Sequence, residues 1–163
     1  MKLDHSFAVS VEWQGNLGSG TSGYKAFSRD HEVRVDGVRG KRAIQGSAAR
    51  PFHGDSERWN PEEQLIGALA QCHMLSYLHV ATEGGVIVEA YTDAATGTLH
   101  VNSDGSGAFV EVVLHPVVTI SAGDPVLAEQ LHADANRLCF IANSVNFPVR
   151  HEPRLLLLDD DLS

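Results

Sequence analysis

Apolar and polar residues alternate over 5–14, where Phe7, Val9, Val11 and Trp13 stand against Ser6, Ala8, Ser10 and Glu12. That period of two predicts a strand with one buried face. The glycine-rich stretch 15–23 predicts a loop or hairpin turn. Residues 24–35 make a second strand candidate carrying Arg29, His31 and Arg34; Asp36-Gly37 signals a turn, and 39–45 adds a short basic strand. A polar loop over 46–59 follows. The period then changes. Asn60 is a good N-cap, Pro61 suits the first helical position, and Glu62 and Glu63 lie where the helix dipole favours negative charge. From Leu65 to Ala81 the run is apolar almost all round, broken by Gln71, Cys72, His73, Ser76 and His79. A helix with no clear polar face is normally buried, so this one is expected to be the central pillar. It is too short and too interrupted for a membrane span. Glu83-Gly84-Gly85 closes it with a glycine able to turn left-handed.

Beyond the helix, 86–92 reads as a strand, 93–97 as a break and 98–101 as its continuation. Residues 102–107 turn, and 108–120 is the longest strand pattern, with Val110, Val112, Leu114 and Pro116 on one face. Asp124-Pro125 repeats the cap-and-proline start, and Leu127, Leu131, Ala135, Leu138 and Ala142 form a stripe of helical period. Residues 143–148 break that helix, 149–158 read as a last strand, and Asp159-Asp160-Asp161 as a frayed acidic end. Grouped strands that do not alternate one-for-one with helices predict an α+β fold with antiparallel pairing.

The chain has 163 residues and fits one domain, its core spanning roughly 5–158. A formal net charge of -9 argues against nucleic acid or an anionic membrane as partner. No basic-then-apolar leader opens the sequence, so a cytoplasmic location is expected. Two cysteines that far apart suit neither a disulfide scaffold nor a zinc ribbon. In a reducing compartment they are either inert core residues or a redox pair.

Packing alone explains many buried cysteines. Cys72, however, lies between Gln71 and His73 in an otherwise apolar helix, where polar groups cost free energy unless partnered. Cys139 ends a helical segment before a polar turn. Arg29, Arg34, Arg58 and Arg137 sit in strands or at the helix mouths of an acidic chain. A guanidinium beside a thiol favours the nucleophilic thiolate, whereas apolar surroundings alone keep it protonated and inert. The dipole of a helix fades within a turn, so Cys72 needs its charge from elsewhere in the fold. A metal site is not expected: His73 and His79, six apart, point to different sides of the helix. Neither a nucleophile elbow nor a phosphate loop is present, and His5, His31, His53, His100 and His115 read as exposed or strand-face residues.

Asn60-Pro-Glu-Glu-Gln-Leu with Ala70-Gln-Cys72-His-Met, and Arg137-Leu-Cys139-Phe-Ile-Ala-Asn-Ser-Val-Asn-Phe-Pro-Val149, resemble the two cysteine segments of the OsmC/Ohr family of thiol-dependent hydroperoxide reductases. The likeness extends from about Trp13 to Pro153, and Ser-Arg-Asp-His at 28–31 is similar to an OsmC-like subgroup. The resemblance implies an intertwined homodimer, with antiparallel sheets wrapped around two long buried helices and active sites at the interface. It implies Cys72 as the peroxidatic cysteine, Cys139 as the resolving cysteine and Glu62 as the carboxylate that pairs with an activating arginine. Arg29 is the better match for that arginine and Arg34 the second. Asn136 stands where related sequences of the subgroup carry histidine. No bound cofactor is implied; an external dithiol supplies electrons and an organic hydroperoxide is the substrate. The rival reading is a non-enzymatic dimer that binds an apolar ligand, its cysteines inactive or redox sensors.

Overall fold

The structure is a computed structural model and describes Leu3–Leu158; the acidic end expected at 159–161 lies outside the described residues. The chain falls into two compact units divided between Gln64 and Leu65.

In the first unit β1 (Ser10–Trp13), β2 (His31–Arg34) and β3 (Ile44–Gly46) form an antiparallel sheet in that order. Trp13 faces His31 across the first pair, and His31 faces Gly46 across the second. The glycine-rich loop is held by Asn16, whose side-chain oxygen accepts the N–H groups of Gly18 and Gly20. Only β1 and β2 remain of the two longer strands the alternation predicted. Residues 24–30 curl instead, because Ser28 returns to pair with Gly15 and its carbonyl fills the place a Cβ on residue 15 would take. The expected buried face of 5–14 is not buried. Phe7 is 94% exposed, Val9 67% and Val11 66%. A period of two says which side chains share a face, and nothing about what covers that face. Among the described residues of this unit only Gly15, Gly46, Ser47 and Asn60 are buried.

α1 (Pro61–Glu83) starts as the sequence predicts. The Glu63 N–H donates to the Asn60 side chain at 2.8 Å, and the Glu63 carboxylate reaches back to the Asn60 N–H, a reciprocal cap. Gly85 takes the left-handed conformation just past the end, at φ 71°.

In the second unit α1 buries Leu69, His73, Tyr77, Val80 and Ala81, one stripe and not its whole circumference. Leu75 on another face is 61% exposed, which corrects the expectation of a helix buried all round within the chain. After it come β4 (Ile87–Asp93), β5 (Thr96–Val101), β6 (Gly107–Leu114), β7 (Pro116–Ala122), α2 (Pro125–Leu138), β8 (Val149–His151) and β9 (Arg154–Leu157). The long strand expected over 108–120 breaks at His115, and the one over 149–158 breaks at Glu152-Pro153. The halves go to different sheets, ordered β4-β7-β9 and β5-β6-β8. The Asp93 carboxylate accepts the His115 N–H at 2.8 Å, and the Glu152 N–H donates to the Leu114 carbonyl, so the backbone groups freed at the fold line are satisfied. β4–β7 and β5–β6 pair antiparallel as expected, whereas β6–β8 and β7–β9 are parallel. The fold class stays α+β, with mixed sheets.

Each sheet of the second unit has its own apolar cluster. Val118 and Ile120 of β7 pack with Tyr77, Val80 and Ala81 of α1 and with Ala128, Leu131 and Ala135 of α2. Val112 and Leu114 of β6 pack with Leu69, backed by Ile141, Val145 and Phe147. Every buried apolar side chain among the described residues lies at or beyond Leu69. No helix among them is long and apolar enough to cross a membrane.

Candidate functional site

The two cysteines, sixty-seven positions apart, meet in the second unit. Cys72 is on the flank of the buried stripe of α1, half-buried, and Cys139 is 1% exposed. Both are free thiols, and the Cys72 thiol is close enough to Cys139 to act on it. Cys139 owes its position to the end of α2. Its backbone is extended, its N–H still bonds to the Asn136 carbonyl, and the turn that follows aims the Ala142 N–H at its sulfur, 3.4 Å away. Burial, and then the neighbouring Cys72 thiol, push the Cys139 thiol up to about 11, so it stays protonated at neutral pH. Cys72 opens onto an apolar hollow walled by Leu75, His79, Leu138 and Phe140, the last of them 81% exposed.

The first unit holds a pocket of about 580 Å³, lined by Trp13, Phe27, Phe52 and Pro61 with Arg29, His31 and Glu62 as its charged or titratable groups. That volume fits a small organic molecule. Arg29 and Glu62, paired by the family resemblance, therefore share one pocket. They do not form an ion pair in this structure. The Arg29 guanidinium donates to the Phe27 carbonyl at 2.9 Å and the Tyr24 carbonyl at 2.7 Å, packed 4.2 Å from the Phe27 ring and 4.5 Å from that of Tyr24. One carboxylate oxygen of Glu62 is buried with no partner among the described residues. The other arginines are engaged elsewhere: Arg34 with Glu12 and Glu32, Arg58 with Asp30 and Asp55, Arg137 with Asp134. Of the four, Arg29 alone lines this pocket.

Two features were not read from the sequence. His31, expected only as a strand-face residue, is a pocket wall. And His73 of α1, His132 of α2 and His151 of β8 stack in the interior with Tyr77. The His73 Nε2 lies 3.0 Å from the His132 Nδ1, and the Tyr77 and His132 ring centroids are 4.1 Å apart. Burial first, then the charge of the neighbouring imidazole, lowers His73 to about 4 and His132 to about 3, so both are neutral at pH 7. The His73 and His132 rings lie nearly parallel, at 8°, with a nitrogen of each turned to the other, an arrangement that does not converge lone pairs on one ion. No group of three or more ligands among the described residues is placed to hold a metal. A signal for this stack existed in the buried positions of His73 and His132 on their stripes, but His151 lies on a three-residue strand with no periodicity to read. Asn136 has a buried side-chain oxygen without a partner among the described residues.

The chain is 32% identical to an OsmC-like protein of unknown function from Vibrio cholerae, whose structure superposes with a TM-score of 0.79 over 92% of this chain and 99% of that one. It is 23% identical to the uncharacterized protein YmaD of Bacillus subtilis over 87% of each chain. The organic hydroperoxide resistance protein OsmC of Legionella pneumophila has the same fold at 18% identity, with a TM-score of 0.65 over 94% of this chain and 99% of that one. The family model for OsmC-like proteins matches residues 53–154, a stretch that contains α1, α2 and both thiols. With that match, and a one-third-identical relative along nearly the whole length, the chain belongs to the OsmC-like family.

Proposed function

We propose that this protein is a two-cysteine peroxidase that reduces organic hydroperoxides. The observation that carries the reading is the thiol pair: two free cysteines from distant helices, side by side, one half-open to an apolar hollow and the other sealed and held protonated. The Cys72 thiolate attacks the terminal oxygen of the hydroperoxide. An S–O bond forms, the O–O bond breaks, and the alkoxide leaves with the electron pair and takes a proton from solvent. Cys72 is then a sulfenic acid. Cys139 attacks it, an S–S bond forms and water departs. An external dithiol reduces the disulfide. Arg29 is the guanidinium that stabilises the thiolate, released from its carbonyl contacts, and Glu62, with its free oxygen, holds it in the charged site. The thiol pair and the Arg29–Glu62 pocket act in a homodimer. Support for the dimer comes from the exposed apolar rows described above.

An apolar pocket of about 580 Å³ also suits a protein that only binds its ligand. Steady-state kinetics with dithiothreitol separate the two. The peroxidase turns over cumene hydroperoxide with a kcat/KM at least about tenfold above that for hydrogen peroxide, the gain from burying an aromatic body of ligand, and Cys72→Ser abolishes turnover. Equal constants for the two peroxides remove the organic preference; no turnover above free dithiothreitol leaves the binder.

A further inference from the structure

We infer that His31 is a substrate-contacting residue of the Arg29–Glu62 pocket, its Nε2 accepting the O–H of a neutral hydroxyl or hydroperoxyl head group. The inference rests on the reading above for the substrate's chemistry. Its geometry stands on the pocket alone.

The His31 Nδ1 lies 2.8 Å from the Arg29 carbonyl oxygen. A carbonyl can only accept, so Nδ1 carries the proton and, in the neutral ring, Nε2 carries the lone pair. That tautomer is fixed by the backbone. The ring is also fixed in place. It sits over Gly46, its partner across β2 and β3, with Nε2 2.3 Å from where a Cβ on residue 46 would be. Any other residue at 46 would displace the imidazole. Nε2 itself has no hydrogen-bond partner among the described residues and keeps some accessible surface, and His31 lines the pocket.

The pocket therefore offers two acceptors without donors, His31 Nε2 and the buried Glu62 oxygen, against aromatic walls. A carboxylate head could meet the Arg29 guanidinium, but it would stand against Glu62 and donate to neither acceptor. A neutral O–H donor fits. In the arrangement proposed above, where Arg29 leaves its carbonyls for Glu62, the O–H of the ligand falls to His31. This orients a hydroperoxide by its terminal oxygen and holds the product alcohol by the same contact.

The test compares 2-phenyl-2-propanol with its methyl ether, which lacks the O–H donor and is one methyl group larger. Binding to the reduced protein is followed by tryptophan fluorescence, with Trp13 in the pocket wall. The wild type is expected to prefer the alcohol by about tenfold, the worth of one hydrogen bond. His31→Phe should bring the ratio to about one while ether affinity is kept, which shows the pocket intact. His31→Gln, which can place an acceptor near the Nε2 position, should restore part of the preference. In turnover, His31→Phe should raise KM for cumene hydroperoxide with kcat little changed. A preference that survives in His31→Phe overturns the proposal and assigns the acceptor to Glu62. No preference in wild type overturns it as well. Should His31→Phe fail to fold, the wild-type ratio and His31→Gln still decide. A wild type that discriminates but shows no turnover sinks the peroxidase reading and leaves this contact standing.

Discussion

Gly46 is where a missing side chain has a physical reason in a neighbour. A methyl group there would meet the His31 ring, and the ring has its other nitrogen tied to Arg29. Gly46→Ala is expected to cost about 1–3 kcal/mol by forced repacking and to lower the alcohol-over-ether preference. Urea unfolding measures the first, and an unchanged midpoint would contradict the packing argument. Cys139 makes a second residue-scale prediction. Buried, and pushed up to about 11, it should be alkylated by iodoacetamide at pH 8 far more slowly than half-open Cys72, as read by peptide mapping. Equal labelling would mean that the thiol is exposed in solution. Both cysteines and the Asn60 cap were legible in the sequence, because motif and cap are local. Which of Arg29 and Arg34 lines the pocket was not legible, because it depends on the curl of 24–30, whose alternation looked like a strand.

α1 and α2 are joined by polar groups as well as apolar ones. Tyr77 donates to the Ala128 carbonyl at 3.0 Å, and the His73–His132 contact lies beside it. These imidazoles tie stability to pH, with a definite sign. His73, normally near 6.5, is lowered to about 4 in the folded chain. Between those values the unfolded chain binds a proton that the folded chain does not. The stability is therefore complete above about pH 6.5 and falls as the pH drops toward 4, by roughly 3 kcal/mol for His73 alone at about 1.4 kcal/mol per unit. His132, lowered to about 3, acts in the same direction. The urea midpoint should fall steadily from pH 7 to 4.5, and His73→Leu should flatten that slope. A flat wild-type profile would mean that the stack is hydrated in solution. Tyr77→Phe removes the hydroxyl's bond to the Ala128 carbonyl and should cost about 1 kcal/mol. At this scale the helices were readable from period and caps, whereas the bends at His115 and Glu152-Pro153 were not. An apolar run that crosses from one sheet to another keeps its alternation through the fold line, so periodicity alone writes one strand where the chain makes two.

At the scale of the molecule, the described residues of the first unit bury no apolar cluster while Phe7, Val9, Val11, Leu75 and Phe140 stand exposed. Such rows fit the dimer proposed above, in which another chain would cover them. On the proposed dimer, sedimentation equilibrium should give twice 17.6 kDa, and Val11→Glu should shift the distribution toward the single chain. A wild-type monomer at micromolar concentration would contradict the assembly. The sequence carried the alternation of 5–14 but not whether its apolar face is buried, since the same period serves a covered and an open face. The peroxidase account itself stands on the thiol pair, and one titration reaches it most directly. One equivalent of tert-butyl hydroperoxide is added to the reduced protein, and both thiols are followed by intact mass and peptide mapping in wild type and Cys139→Ser. The account predicts a Cys72–Cys139 disulfide in wild type within seconds to minutes and a trappable sulfenic acid on Cys72 in the variant. Two free thiols after prolonged exposure, in protein that remains folded, would contradict it.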